Sequence, residues 1–254
     1  MTTTLTRPTI AILAAAPFET EMIRHFWGPW KISSLGGLHL YRRKSAGMII
    51  ELLHSGVGKA NAAAAATLLA LHRPQALLVV GCGGALPGSN LQIGDLALAS
   101  SESFGDEGVL TLQGFQDLEA MHLPLFANAS PPLYNTCPVD LDWRERAEEV
   151  LTPFAADAGI ALCCGPFVTV STCSGTTAAG EILARRSGGI CENMEGAAAA
   201  LVCARHAIPF CEVRGISNLV EDRNLERWNL SGASQIAQQA FIALLNNDSG
   251  QVPA

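Results

Sequence analysis

Apolar runs of strand length alternate along this chain with segments whose apolar residues recur at helical spacing. The runs predict strands at residues 9–14, 48–54, 76–80, 160–172 and 209–216. The helical segments predict helices at residues 19–26, 60–71, 141–158, 194–205 and 231–245. Strands that alternate with helices form βαβ units, which give mostly parallel sheets. We therefore predict an α/β fold in which helices flank a central, mostly parallel β-sheet.

The chain shows no internal repeat and no linker that would divide it. We predict one domain over residues 1–254, with flexible ends at about 1–8 and 247–254. The stretch 100–140 is more polar and less regular than its flanks, and Pro124, Pro131 and Pro132 interrupt it. Because proline disrupts regular backbone hydrogen bonding, we expect this stretch to form loops over one face of the domain.

The composition narrows the range of possible partners. Of the 254 residues, 49% are hydrophobic and 15% are charged, which excludes a disordered chain and a coiled coil. The net charge of −7 with only 16 Lys and Arg residues argues against nucleic acid, whose phosphates attract dense positive charge. We expect a small-molecule partner and no nucleic acid.

No apolar run reaches the roughly 18 residues of a membrane helix, so we expect no membrane partner. The run 10–16 follows Arg7 but is short for a signal peptide, and Glu19 and Glu21 follow it directly. We interpret it as the buried first strand of a cytoplasmic protein. None of the eight cysteines forms a C-x₂-C pair, so we expect reduced core thiols and no metal.

Two glycine-rich segments raise the question of a nucleotide cofactor. Gly56-x-Gly58 has Asn61 where a dinucleotide-binding fingerprint needs its third glycine, and no acidic residue ends the next strand. Gly81-Cys82-Gly83-Gly84 lacks the Lys-Ser/Thr pair that completes a P-loop. We predict no cofactor, and we interpret both segments as loops whose backbone comes close to a bound ligand.

Four polar side chains near predicted strand ends are candidates for chemistry. Glu19 follows the first strand and is either a solvated residue in a helix's first turn or a functional carboxylate. Glu195 opens an Ala-rich helix with almost no cation near it in sequence, so it needs donors such as a sugar diol. Asn218 follows the strand 209–216 and is either a cap residue or a binding group. Arg223 is either a surface cation or a clamp for a substrate carboxylate.

Six short motifs together resemble those of the nucleoside phosphorylase and nucleosidase superfamily, and the match runs over most of the chain. They are Ala14-x₄-Glu19, Ser55-Gly56-Val57-Gly58-Lys59-x-Asn61-Ala62, Gly81-Cys82-Gly83-Gly84, Ile93-Gly94-Asp95, Asn193-Met194-Glu195-Gly196-Ala197 and Arg214-Gly215-Ile216-Ser217-Asn218. Each motif is modest alone, but six in order at family-like spacing make a strong signal. The branches that look closest are the methylthioadenosine/S-adenosylhomocysteine nucleosidases and, more specifically, the futalosine hydrolases. Two motifs suggest the latter: Phe104-Gly105-Asp106-Glu107-Gly108-Val109 and Ser217-Asn218-x-Val220-x-x-Arg223.

The resemblance implies a nucleoside phosphorylase-like fold with a mixed, mostly parallel sheet, and roles for residues around the sugar. Glu19 would be the general base that orients the attacking water. Glu195 would hold the 2′- and 3′-hydroxyls of the ribose, and Met194 would pack on the sugar. The resemblance also implies a homo-oligomer, and it implies neither a metal nor a cofactor.

The resemblance likewise implies how the base is held. The segment Thr172-Cys173-Ser174 would lie along the base, and the backbone at Cys82 and Gly83 would come close to the substrate. Asn218 would face N7 and position 6 of a purine. Arg223 is the candidate for a charged tail of the substrate.

Two departures from the methylthioadenosine enzymes bear on which base is cleaved. Those enzymes have a carboxylate where Asn193 and Asn218 stand here, and an aromatic residue near Cys173. An adenine that leaves with a proton on N7 presents two donors, which suit a carboxylate, whereas a 6-oxopurine presents a donor and an acceptor, which suit an amide. We therefore predict hydrolysis of futalosine with release of hypoxanthine, a reaction of menaquinone biosynthesis.

Three alternatives stay open. A 6-oxopurine nucleoside phosphorylase is disfavoured, because phosphorylases of the superfamily carry an Arg where Val79 stands here. A methylthioadenosine/S-adenosylhomocysteine nucleosidase is disfavoured by the amide of Asn218. A non-catalytic nucleoside-binding protein is disfavoured because binding alone requires no base such as Glu19 beside the sugar.

Overall fold

Strands and helices follow one another through residues 8–45 and 47–246, the part of the chain that the computed structural model describes. The strands are β1 Thr9–Ala14, β2 Lys31–Leu35, β3 Leu38–Ser45, β4 Met48–His54, β5 Ala76–Ala85, β6 Leu96–Phe104, β7 Gly108–Thr111, β8 Gly114–Asp117, β9 Thr136–Pro138, β10 Leu162–Thr169, β11 Cys191–Asn193 and β12 Phe210–Leu219. The helices are α1 Glu21–Phe26, α2 Lys59–Ala70, α3 Leu141–Ala158, α4 Thr177–Ser187, α5 Gly196–His206 and α6 Leu230–Asn246. Short 3₁₀ turns cover Pro17–Thr20 and Leu225–Arg227.

One large sheet organises the domain, in the order β11-β10-β6-β12-β5-β1-β4-β3-β2, with β9 paired to β6. The pairs β1–β4, β1–β5, β5–β12, β6–β10 and β10–β11 are parallel. The pairs β6–β12, β3–β4 and β2–β3 are antiparallel. Because β11 also pairs with β5, the strands β5, β12, β6, β10 and β11 close into a ring. The predicted α/β class with a mixed, mostly parallel sheet is confirmed.

Strand β1 lies between β4 and β5 and is buried on both faces. Successive side chains of a strand point to opposite faces. Ala11 and Leu13 accordingly belong to the core layer formed with the alanine-rich helices α2 and α5. Ile10 and Ile12 belong to the opposite layer, which includes residues of α3 and α6. Helices on both faces explain why the strand sequence is a continuous apolar run.

Several predicted bounds differ from the structure. The segment Gly81–Gly84, predicted as a loop, is the second half of β5, which continues to Ala85. Asn218, predicted to follow a strand, lies inside β12. The stretch 100–140 contains the end of β6, β9 and the hairpin β7–β8 besides its loops. No element was predicted at β2, β3, β6, α4 or β11, nor at β7, β8 or β9 within the stretch 100–140.

The ends of the domain are described from Pro8 to Asn246. Of the predicted flexible ends, residues 1–7 and 247–254 lie outside the described residues, whereas the carbonyl of Pro8 accepts the N–H of Ile49 at 2.8 Å. Each helix within residues 8–45 and 47–246 is too short or too polar to cross a lipid bilayer.

Gly215 lies where β12 passes α6, and the structure leaves no room for a side chain there. A Cβ atom would lie 2.0 Å from the backbone oxygen of Ala233. Because this obstacle is helix backbone, we expect Gly215→Ala to lower the free energy of unfolding by about 2 kcal/mol or more. Chemical denaturation followed by circular dichroism measures the change. The matched control is Gly175→Ala, since a Cβ at Gly175 meets nothing within 4 Å; equal losses in both variants would contradict this account.

Candidate active site

A cavity of about 210 Å³ opens where β1, β5 and β12 end. The carboxyl ends of parallel strands are where α/β sheets bind their ligands. Residues that follow β1, residues of the second half of β5 and residues late in β12 all line it. The predicted site residues that line this cavity are Glu19, Cys82, Gly83, Cys173, Met194, Glu195, Asn218 and Arg223. The fold thus brings together side chains that are up to 204 positions apart in the chain (from Glu19 to Arg223).

Thr172 is the predicted site residue that does not join this group. It is exposed and does not line the cavity, so its predicted contact with a base is not supported. Its neighbours Cys173 and Ser174 do line the cavity. The N–H of Ser171 donates to Asp106 Oδ2 at 2.7 Å, which ties this segment to the loop after β6.

The 3₁₀ turn after β1 places Glu19 in the cavity wall, where the residue is only 5% exposed. Its Oε2 accepts the N–H of Ala16 at 2.9 Å, and its Oε1 accepts the N–H of Cys82 at 3.0 Å. Burial raises the pKa of Glu19 above the usual value, although Arg214 and the two N–H donors oppose the shift. A carboxylate fixed by two backbone donors and made more basic by burial is suited to accept a proton.

Glu195 lies at the start of α5 and is also 5% exposed. Its Oε1 accepts the N–H of Gly58 at 2.9 Å, and its Oε2 accepts from Arg214 Nη2 at 3.3 Å. The carboxylate that has almost no cation near it in sequence therefore has one in space. A carboxylate offers about four acceptor positions, so roughly two remain for a ligand.

Arg214 is the main component of the site that was not predicted from the sequence. The guanidinium donates from Nε to Glu212 Oε1 at 2.6 Å and from Nη1 to the carbonyl of Cys82 at 2.7 Å, besides its contact with Glu195. Burial opposes its charge, but Glu212, Glu195 and Glu19 outweigh burial and raise the pKa of Arg214. The available signal was a Glu and an Arg two positions apart in an apolar strand, since buried charges must be paired.

Glycines of β5 make room for these side chains. A Cβ at Gly81 would lie 2.7 Å from Glu19 Oε1 and 3.0 Å from Arg214 Nη1. A Cβ at Gly84 would lie 3.1 Å from Asn218 Nδ2. Glycine inside a strand often marks a close approach of other groups. The glycine-rich motif therefore serves the packing of the site, within a strand and not within a loop.

Another buried carboxyl, that of Glu102, lies next to Glu212. Glu102 is fully buried, and burial together with the nearby Glu212 holds the pKa of Glu102 well above its usual range. Asn193 Nδ2 donates to Glu102 Oε1 at 2.6 Å, and Asn193 Oδ1 accepts the N–H groups of Glu195 and Gly196 at 3.0 and 2.8 Å. Asn193 thus holds the start of α5, and with it the backbone of Glu195, in place.

Asn218 lines the cavity from the end of β12. A register shift between Ile216 and Asn218 interrupts the pairing with β5, and such bulges redirect side chains. Ser217 Oγ donates to Asn218 Oδ1 at 2.8 Å, and Asn218 Nδ2 donates to the carbonyl of Leu219 at 3.1 Å. An amide has two N–H donors and two lone pairs, so one donor and one acceptor position remain for a ligand.

Two further charged side chains, those of Arg223 and Glu192, line the cavity. Arg223 is exposed, and its guanidinium lies 4.9 Å from the ring centroid of Trp228, which also lines the cavity. Glu192 is buried beside the cavity and was not among the predicted residues. It directly precedes the motif Asn193-Met194-Glu195-Gly196, and its position in a buried strand was the available signal.

Sequence comparisons relate this chain to known proteins. The futalosine hydrolase of Acidothermus cellulolyticus is 36% identical over 80% of this chain and 80% of its own length. The 5′-methylthioadenosine/S-adenosylhomocysteine nucleosidase of Halalkalibacterium halodurans is 29% identical over 83% of this chain and 85% of its own. Since such relatives are nucleosidases and a futalosine hydrolase, the predicted enzyme class, an N-glycosyl hydrolase, is confirmed.

The fold has solved counterparts as well. The structure of the futalosine hydrolase of Helicobacter pylori superposes with a TM-score of 0.81 and covers 95% of this chain and 98% of its own, at 22% identity. At that identity the likeness shows the fold alone. A family model described as the phosphorylase superfamily matches residues 9–247. The extent of this match, together with the relative at 36% identity, shows that the chain belongs to the phosphorylase superfamily.

Proposed function

We propose that this chain hydrolyses the N-glycosidic bond of futalosine, releasing hypoxanthine and dehypoxanthine futalosine, as a step of menaquinone biosynthesis. The observation that carries the proposal is the side-chain amide of Asn218 in a cavity that also holds the buried carboxylates Glu19 and Glu195. The relative from Acidothermus cellulolyticus that is named as a futalosine hydrolase supports it.

The buried carboxylates suit the cleavage of a glycosidic bond. Such cleavage passes through a state in which the ribose resembles an oxocarbenium ion, and nearby negative charge stabilises it. Glu19 takes a proton from the attacking water, while Glu195 uses its remaining acceptor positions for the 2′- and 3′-hydroxyls. Met194 packs on the sugar. Arg214 holds Glu195 in position through the contact of its Nη2 with Glu195 Oε2.

Asn218 matches the leaving base of this reaction. Its free N–H suits O6 of hypoxanthine, and its free lone pair suits a proton on N7, which the departing base takes from water because an amide cannot supply it. Adenine would offer donors at both places, so one of them would lack an acceptor. A polar group left unpaired in a site of this kind costs a large factor in rate.

Water suits this cavity better than phosphate as the acceptor. Val79 is buried in the core of β5 and offers no charge to a phosphate. Arg214 is committed to Glu212, Glu195 and the carbonyl of Cys82. Among the described lining residues, the cation left is the exposed Arg223, which we assign to a carboxylate on the substrate's tail.

The predicted homo-oligomer belongs to this proposal. The hairpin β7–β8 carries Leu110 at 83% exposed, and Leu112 in its turn is fully exposed. Large apolar side chains that are exposed together are typical of an interaction surface. Their position on one hairpin supports its burial against a second copy of the chain.

Asn218→Asp tests the assignment of the base. A carboxylate accepts from both donors of a protonated adenine but cannot donate to O6, so we expect the ratio of kcat/KM for futalosine over methylthioadenosine to fall by about 10² or more. Chromatography of the released bases measures it, with and without phosphate. Retention of the preference for hypoxanthine at an undiminished rate would contradict the proposal.

The matched control is Asn224→Asp, an identical change at an exposed residue that caps the 3₁₀ turn Leu225–Arg227. An aspartate caps such a turn as well as an asparagine does, so this variant should keep the native ratio. The methylthioadenosine nucleosidase relatives make adenine the main competing base. Faster native cleavage of methylthioadenosine than of futalosine would favour that activity instead.

A further inference from the structure

Glu192 is a buried carboxylate that the mechanism above does not use. It is 6% exposed and lines the cavity together with Asn218, Cys173 and Ser174. Its oxygens accept the N–H of Ser174 at 3.0 and 3.1 Å, and Ser174 Oγ donates to Oε2 at 2.6 Å. Within the described part of the chain, no Lys, Arg or His forms an ion pair with it.

The sheet register places Glu192 opposite Asn218 across one strand. Both residues pair with Gly84, Glu192 from β11 and Asn218 from β12. Neighbouring strands lie about 4.8 Å apart, so in this closed ring of strands the two Cα atoms are at most roughly 10 Å apart. The register shift before Asn218 interrupts the regular alternation of side chains, but Glu192 and Asn218 both line the same cavity. Glu192 and Asn218 therefore reach the same cavity from the two strands that flank β5.

A carboxylate in this position still needs donors. A buried charge without a cation is costly unless hydrogen bonds compensate it. All the donors present come from Ser174, on one side of the carboxylate, and acceptor positions remain toward the cavity. Burial raises the pKa of Glu192, although the donors of Ser174 favour the charged form. We therefore expect the ligand to supply a hydrogen-bond donor to the remaining acceptor positions of Glu192.

A 6-oxopurine brings such a donor and adenine does not. N1 of hypoxanthine carries a hydrogen, whereas N1 of adenine is a lone pair that a carboxylate repels. We infer that Glu192 is a specificity-determining residue that accepts the N1–H of the 6-oxopurine while Asn218 reads O6 and N7. This inference rests on the proposed function, because it assumes that a purine occupies the cavity that both residues line. Two residues on opposite sides of Gly84 then recognise two edges of the same base.

The test compares inosine with adenosine, which share the ribose and differ in the base. Gln keeps the length of Glu and an acceptor for Ser174, but its NH₂ group can donate to N1 of adenine. We expect Glu192→Gln to shift the ratio of kcat/KM for inosine over adenosine toward adenosine by a factor on the order of 10². Calorimetric titration with free hypoxanthine and free adenine should show the same direction of change, independently of turnover.

Ser174→Ala is the matched control, because it removes a donor to Glu192 but leaves the carboxylate in the cavity. If Glu192 only fastened the segment at Ser174, then Glu192→Gln and Ser174→Ala would slow both nucleosides by similar factors and leave the ratio unchanged. That result would overturn the inference. A native protein that prefers adenosine would instead contradict the proposed function, while a shift of the ratio in Glu192→Gln would still support the role of Glu192.

Discussion

Glu19→Gln is expected to lower kcat by a factor of about 10² to 10⁴, the usual contribution of a general base, with little change in substrate affinity. The amide of Gln has the size of the carboxyl group but does not accept a proton from water. The native carboxylate is held by the N–H groups of Ala16 and Cys82, so its position is fixed before substrate binds. Steady-state release of hypoxanthine from futalosine gives kcat, and calorimetry with an unreactive substrate analogue gives the affinity.

The same role of Glu19 predicts how kcat/KM of the native protein depends on pH. Because burial raises the pKa of Glu19, the proton stays on this group up to a higher pH than on an ordinary glutamate. A base must be unprotonated, so kcat/KM should rise with pH through this raised pKa, and that acid limb should disappear in Glu19→Gln.

Glu21→Gln is the control for this variant, since Glu21 lies two positions further along the chain and is exposed at the start of α1. It should keep the native rate and the native pH profile. A rate within a few-fold of native in Glu19→Gln itself would remove Glu19 from the mechanism.

The sequence predicted those elements whose local signals agree with their packing. Strand β1 and helix α3 have the predicted bounds. In α3, Asp140 caps the first turn by accepting the N–H of Trp143, and Gly159 ends the helix in the left-handed conformation. Strand β1 is apolar throughout because both of its faces are covered. In these elements the local sequence and the tertiary structure require the same residues.

The predictions from sequence were wrong where residues are determined by the needs of the site and not by the local secondary structure. Gly81, Gly83 and Gly84 weaken a strand locally, so they predict a loop, but in the structure they belong to β5 and leave space for neighbouring side chains. The pairing of β11 with β5, which places Glu192 beside the cavity, depends on closure of the ring of strands. Single-sequence periodicity contains no information about such a closure.

The residues of the candidate site were likewise predictable only in part. Glu19, Glu195 and Asn218 were found because each lies where a predicted strand or helix begins or ends, and ligands bind at such junctions. Arg214 lies in the middle of β12, where an apolar pattern predicts only core. Its role follows from its distances to the carboxylates of Glu212, two positions before it on the same strand, and of Glu195, 19 positions before it in the chain. Those distances exist only in the folded chain.

Arg214→Met is expected to lower the free energy of unfolding by about 3 to 5 kcal/mol, because it leaves buried carboxylates without their cation. Methionine keeps an unbranched apolar stem but has no donor for Glu212 Oε1, Glu195 Oε2 or the carbonyl of Cys82, each of which Arg214 contacts. Thermal and chemical unfolding measure the loss. Activity should also fall, since Arg214 lowers the pKa of Glu19 and orients Glu195.

Two variants separate loss of pairing from loss of packing in this prediction. Arg227→Met removes the cation of an exposed pair, in which Nη1 of Arg227 lies 2.7 Å from Glu221 Oε1, and should change the unfolding free energy by less than about 1 kcal/mol. The double variant Arg214→Met with Glu212→Gln removes the unpaired charge next to Met and should recover part of the stability. If the double variant were less stable than Arg214→Met alone, the guanidinium would matter for its shape and not for its charge. Recovery of stability without recovery of turnover would place the electrostatic role of Arg214 at Glu195 and Glu19, where the proposed chemistry occurs.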